Sequence, residues 1–138
     1  LMASTILVGL LLVLLCIMVH SAITMFSYNV ILWKYQHGSR FKNVIKIDVV
    51  VIAILVATML EGVLWAISYL SIGAFNTFEQ ALYFSMVTYT TLGYGDLILT
   101  DDHRLMGAIE AANGVIMLGW STAIVVFAIQ KVYFSSKN

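Results

Sequence analysis

The chain has no proline, a single cysteine and very little charge. Each shortage excludes something. Without proline, no helix is broken by a ring that removes an amide hydrogen, and a proline-rich linker is ruled out. One cysteine, Cys16, permits no intrachain disulfide, and within its apolar run it reads as a packing residue. Charged residues make up 10% of the 138 positions, with seven basic and seven acidic side chains. Soluble domains carry roughly 25%. The net charge of zero offers no basic footprint for nucleic acid. The three histidines, His20, His37 and His103, are too scattered for a metalloenzyme motif. What the chain has instead is apolar bulk, 62% of its residues. A soluble core of this size cannot hide so much, so the expected solvent is the lipid bilayer.

Crossing the hydrocarbon takes roughly 20 apolar residues as a helix. Three runs qualify, over 3–33, 47–70 and 105–134. None alternates like a barrel strand, so all three are read as helices. The first is longer than one straight crossing needs and has room to tilt or to kink near His20 and Ser21. A cleaved leader usually opens with positive charge, yet no Lys or Arg precedes Lys34.

Basic residues set the orientation. Lys34, Arg40, Lys42 and Lys46 fall between the first two runs, Lys131 and Lys137 after or at the end of the third, and only Arg104 elsewhere. The expected topology is a multi-pass cell-membrane protein with the N-terminus outside and the C-terminus cytoplasmic. Trp33, Tyr35, Tyr133 and Phe134 suit an inner aromatic belt, and Trp65 and Tyr69 the outer half.

Between the second and third runs, residues 76–89 are apolar enough for a helix of about 14 residues, too short to span. Asn76 or Thr77 would cap it, with Glu79 in its first turn. Chain that enters from outside and returns outside makes a short re-entrant helix followed by extended backbone. Irregular backbone at membrane depth is tolerated only where it is buried in protein or lines a watery path. Composition alone thus points to a pore or cavity.

The returning chain reads Thr90-Thr91-Leu92-Gly93-Tyr94-Gly95-Asp96. A dehydrated cation must regain oxygen ligands, and rings of backbone carbonyls can supply them. Aiming successive carbonyls one way needs dihedrals that Gly93 and Gly95 reach freely. The segment resembles the selectivity filter of potassium channels, and 77–85 resembles the pore helix of small bacterial members. The resemblance covers roughly the last ninety residues and leaves out the first helix. It implies an all-α membrane protein that assembles as a homotetramer, since one filter segment cannot close a ring. It divides the chain into a peripheral helix, 1–35, and a pore domain, 36–138. That domain would comprise an outer helix (44–71), a pore helix (76–90), the filter (91–96) and an inner helix (104–134). The carbonyls of Thr91, Leu92, Gly93 and Tyr94, with the Thr91 hydroxyl, would bind K+, the transported ion, and no other cofactor is expected.

Two departures from the family pattern stand out. Leu92 replaces the usual valine or isoleucine. Tyr83, Phe84 and Val87 stand where some bacterial members have two tryptophans and a glutamate. Tyr83 keeps a hydroxyl within reach of Asp96, so Tyr83 and Thr90 are expected to support the filter. Glu61 and Glu110 lie about 9–14 Å below the outer helix ends, near pore-helix depth. Intramembrane carboxylates are costly and usually functional. They are read as filter support or gating residues, with a shared proton as one arrangement open to them. His20 reads as a satisfied structural histidine, His37 as solvated, and Asp101-Asp102-His103 as a solvated turn that concentrates cations. Gly114 or Gly119 is a candidate gating hinge, although small-residue packing explains either equally well.

The expected function is passive, potassium-selective conduction. No spanning run carries the repeated arginines of a voltage sensor, and no soluble ligand domain is visible. A non-selective cation channel is opposed by the intact Gly93-Tyr94-Gly95. A potassium-transporter subunit would carry several degenerate filters. An enzyme would need a catalytic constellation, and none is legible.

Overall fold

The computed structural model describes residues 2–32 and 40–134. Trp33, Lys34, Tyr35, His37 and Lys137 lie outside the described residues, as do the side chains of Arg40, Lys42 and Phe134. Four helices follow one another: α1 (Met2–Leu32), α2 (Arg40–Ser71), α3 (Phe78–Tyr89) and α4 (Arg104–Phe134). There is no strand among the described residues. Spans long and apolar enough to cross a membrane cover Ser4–Leu32, Asn43–Ser71 and Arg104–Tyr133. The first helix runs unbroken through His20 and Ser21. The second begins at Arg40 rather than 44, since no glycine or proline stops it there. At 12 residues, α3 is about 18 Å long, short of the roughly 30 Å of a hydrocarbon core.

Periodicity explains how these helices meet. The buried side of α4 carries Met106, Glu110, Asn113, Met117, Ser121, Ile124, Ala128 and Val132, spaced by three or four. On α1 the buried stripe is Leu12, Cys16, His20, Ser27 and Ile31. Such spacing puts each set on one helix face. The opposite face of α1 leaves leucines and methionines exposed, as lipid contact requires. α1 packs on α2 and α4; α3 also packs on α2 and α4; α1 and α3 do not pack directly.

The apolar core falls into two clusters. One surrounds α3 and holds Leu12, Cys16, Trp65, Tyr69, Phe84, Tyr89, Met106 and Met117. The other joins Ile31, Val50, Ile54, Ile124 and Ala128 from the three long helices. Between them along each long helix lies a buried polar residue: His20 on α1, Glu61 on α2 and Ser121 on α4. Lipid removes the hydrophobic drive between helices, so close packing and interhelical hydrogen bonds hold such a bundle together.

Candidate functional site

The short helix α3 is defined at both ends by local chemistry. Thr77 is its N-cap, in extended conformation, and its hydroxyl accepts from the Gln80 amide at 3.2 Å. Of the two residues expected to cap this helix, Thr77 does so. At the other end Thr90 is the C-cap. The Thr91 amide donates to the Thr88 carbonyl at 3.0 Å, and the Leu92 amide to the Val87 carbonyl at 2.9 Å. These paired bonds are a Schellman motif, which needs a left-handed residue just past the cap. Thr91 fills that place with φ of 62°.

The end of α2 shows how unusual this is. There Gly73 donates to Leu70 and Ala74 to Tyr69, the same motif, with Gly73 at φ 71°. Glycine takes that conformation without steric cost, whereas a residue with a Cβ gives up roughly 1–2 kcal/mol. A β-branched threonine there is a marked outlier, and such outliers gather at functional sites.

The left-handed conformation recurs in the next residues. Thr91, Gly93 and Gly95 have φ of 62°, 58° and 76°, while Leu92 and Tyr94 between them stay on the negative side. Residues 91–96 are exposed on the single chain, Leu92 by 54% and Tyr94 by 67%. The Tyr83 hydroxyl donates to Asp96 Oδ2 at 2.7 Å. That bond holds the Asp96 carboxyl below its ordinary range, helped by the Asp96 and Leu97 amides. The same bond raises the Tyr83 phenol. The Thr90 hydroxyl turns back to the Met86 carbonyl at 2.7 Å, inside its own helix.

Behind α3 lie two separate polar clusters, one on each buried glutamate. Glu110 accepts from the Tyr69 hydroxyl at 2.6 Å and sits 2.5 Å from Ser85 Oγ. Ser85 is also 2.9 Å from the Gly62 carbonyl. Glu61 accepts from the Tyr89 hydroxyl at 2.5 Å and meets His20 Nδ1 at 3.0 Å. The far nitrogen of His20, Nε2, lies 3.2 Å from Ser121 Oγ. No hydrogen bond joins Glu61 to Glu110 among the described residues, so the shared-proton arrangement is not the one adopted. Each carboxylate is satisfied by its own neighbours instead. The sequence did not name Ser85, Tyr69, Tyr89 and Ser121 as partners of these buried groups. Their signal was their place on buried helix stripes, where a polar residue needs a partner.

The glycines of α4 differ sharply. A Cβ on Gly114 would lie 1.9 Å from the Tyr89 carbonyl oxygen, so α4 touches the last turn of α3 through bare backbone. A Cβ on Gly119 would meet nothing within 4 Å. Asn113 is buried beside this contact, and neither side-chain amide atom has a hydrogen-bond partner among the described residues. Asp101 and Asp102 are exposed in the turn before α4, and Asp101 pairs with Arg104 at 2.7 Å. No group of three or more His, Cys, Asp or Glu among the described residues is placed to hold a metal ion.

Three long apolar helices, two of them packed on a short capped helix, define a multi-pass, all-α membrane protein. Residues 48–131, more than half of the chain, match the ion channel family, and the chain belongs to it. It is therefore a channel protein and not an enzyme. The matched range takes in most of α2 and α4 and all of α3, and stops short of α1. Neither a curated protein nor a solved structure matches the chain.

Proposed function

We propose that the chain is the subunit of a potassium-selective channel in which four copies ring one pore. The observation that carries this reading is the run of positive-φ residues at 91, 93 and 95, with negative-φ ones between. In an ordinary extended strand, successive carbonyls point to opposite sides. Alternating the sign of φ turns them toward one side, which is what a column of cation sites needs. Thr91 accepts its strained conformation and in return offers both a carbonyl and a hydroxyl. The ion sites are the carbonyls of Thr91, Leu92, Gly93 and Tyr94 with that hydroxyl, and Asp96 stands at the outer mouth. α3 is the re-entrant pore helix, α2 the outer helix and α4 the inner one. Tyr83, Thr90, Glu61 and Glu110 support the filter from behind. Conduction is passive and needs no voltage sensor. With the basic residues inside, the N-terminus is outside and the C-terminus is cytoplasmic.

The test is flux into liposomes holding the purified chain, driven first by a potassium gradient and then by a sodium gradient, with barium as blocker. Potassium flux that barium stops, with little sodium flux, is the expected result. Equal flux of the two ions would replace this reading by a non-selective cation channel, with Leu92 the residue to examine.

A further inference from the structure

The first helix lies outside the matched family range and does not pack directly on α3. Yet one buried chain of hydrogen bonds joins all four helices. It runs from Ser121 on α4 to His20 on α1, on to Glu61 on α2, and ends at the hydroxyl of Tyr89 on α3. His20, Glu61 and Tyr89 are all fully buried. Tyr89 is the last residue of α3 and stands two positions ahead of the strained Thr91. Its carbonyl is the group on which Gly114 rests. Both ends of this tyrosine are thus held, the backbone by α4 and the hydroxyl by Glu61.

Glu61 cannot hold that hydroxyl alone. A carboxyl group has two oxygens, and here one faces Tyr89 and the other faces His20. Without the histidine, a buried oxygen is left without a partner and the carboxyl is free to turn. The histidine ring is itself aimed from both sides: Ser121 faces Nε2, and Trp120 packs on the ring with centroids 5.3 Å apart. Every group needed to set one geometry at the end of α3 is therefore present, and the remotest of them comes from α1.

We infer that His20 is a positioning residue for ion selection, through which α1 holds Glu61 and Tyr89 and so fixes the end of α3 that feeds the filter. This rests on the filter reading proposed above. It gives α1 a role beyond lipid contact, that of a built-in support for a pore unit formed by the other three helices.

The two nitrogens of His20 have different partners, and this makes the idea testable. Asparagine at 20 places an amide where Nδ1 is and can restore the bond to Glu61. Glutamine reaches the Nε2 position and can restore only the bond to Ser121. Leucine restores neither. The readout is the potassium-to-sodium permeability ratio, from reversal potentials of the full chain in planar bilayers. His20→Leu is expected to lower the ratio about tenfold, on the scale of leaving one buried acceptor without its hydrogen bond. His20→Gln should fall similarly, and His20→Asn should recover most of the wild-type ratio. Tyr89→Phe should resemble His20→Leu, and the double variant should be no worse than either single one, because both break one chain. Should His20→Leu fail to fold, the contrast between His20→Gln and His20→Asn carries the test. A selective wild type with the Asn and Gln variants alike, or with losses that add in the double variant, would overturn the inference alone. A wild type that passes both ions equally would overturn the filter reading, and this one with it.

Discussion

At Thr91 two demands meet in one residue. The Schellman turn asks for glycine, and α2 uses Gly73 in the same place. The filter proposal asks for a side-chain oxygen. Thr91→Gly separates them. Relief of about 1–2 kcal/mol of left-handed strain is partly offset by about 0.5–1 kcal/mol of added backbone freedom in the unfolded chain. The variant should melt in detergent at the wild-type temperature or slightly above, while its liposomes lose discrimination between potassium and sodium. Retained discrimination would remove the hydroxyl from the ion site. Tyr83 and Asp96 give a second test. Their bond holds the Asp96 carboxyl below its ordinary range, so its contribution is complete above about pH 4 and is lost as acid passes through the lowered value. Tyr83→Phe should return Asp96 upward toward the usual range, which a carbon NMR titration of its carboxyl would follow. An unmoved titration would show that the hydroxyl is not what depresses it.

Helix α4 holds two glycines with opposite surroundings. Gly114→Ala drives a methyl into the Tyr89 carbonyl, and backbone cannot swing aside as a side chain does. It should cost about 1–3 kcal/mol or more in thermal stability. Gly119→Ala meets open space and should be neutral or gain up to about 1 kcal/mol from helix propensity. If Gly119 is the gating hinge, that variant should change open probability while melting normally. The Glu110 cluster allows a similar separation by counting hydrogens. Ser85 has one hydroxyl hydrogen and two acceptors in reach, Gly62 and Glu110. Glutamine at 110 adds the missing hydrogen: its amide donates to Ser85, Ser85 donates to Gly62, and its oxygen accepts from Tyr69. Glu110→Gln should therefore melt within about 1 kcal/mol of wild type, and Glu110→Leu should lose about 1–3 kcal/mol by stranding the buried Tyr69 hydroxyl, while Ser85 keeps the Gly62 carbonyl. Equal losses would show that the cluster contributes through volume alone.

For the molecule as a whole, the exposed groups of a single chain include Leu92, Tyr94, Ile98, Val115 and Ile116, spread over the segment after α3 and one face of α4. Under the channel reading these surfaces face the pore or neighbouring copies. Native mass spectrometry from detergent should then find four times the chain's 15.3 kDa. A lone chain of that mass would contradict the ring. Membership of the ion channel family rests on α2, α3 and α4, while the buried chain from Ser121 to Tyr89 passes through α1. The three helices that match the family are thus tied to a fourth through the polar interior of the chain.

The three long helices were legible because their signal is local. Runs of apolar residues without proline, long enough for a bilayer, leave the backbone no other way to satisfy its own hydrogen bonds. The short helix was legible from Thr77 at its start and its inadequate length, and the glycine spacing at 93 and 95 marked the segment that follows. Which polar residues pair was not legible. His20 and Glu61 are 41 positions apart, and His20 and Ser121 are 101 apart. No periodicity within one helix records the rotation of another against it. The two glutamates looked interchangeable in depth and type, and tertiary packing gave them different partners because they meet successive turns on one face of α3, Glu110 at Ser85 and Glu61 at Tyr89. Likewise Gly114 and Gly119 read alike along α4. Only the close approach of the Tyr89 carbonyl makes one of them a contact and leaves the other open.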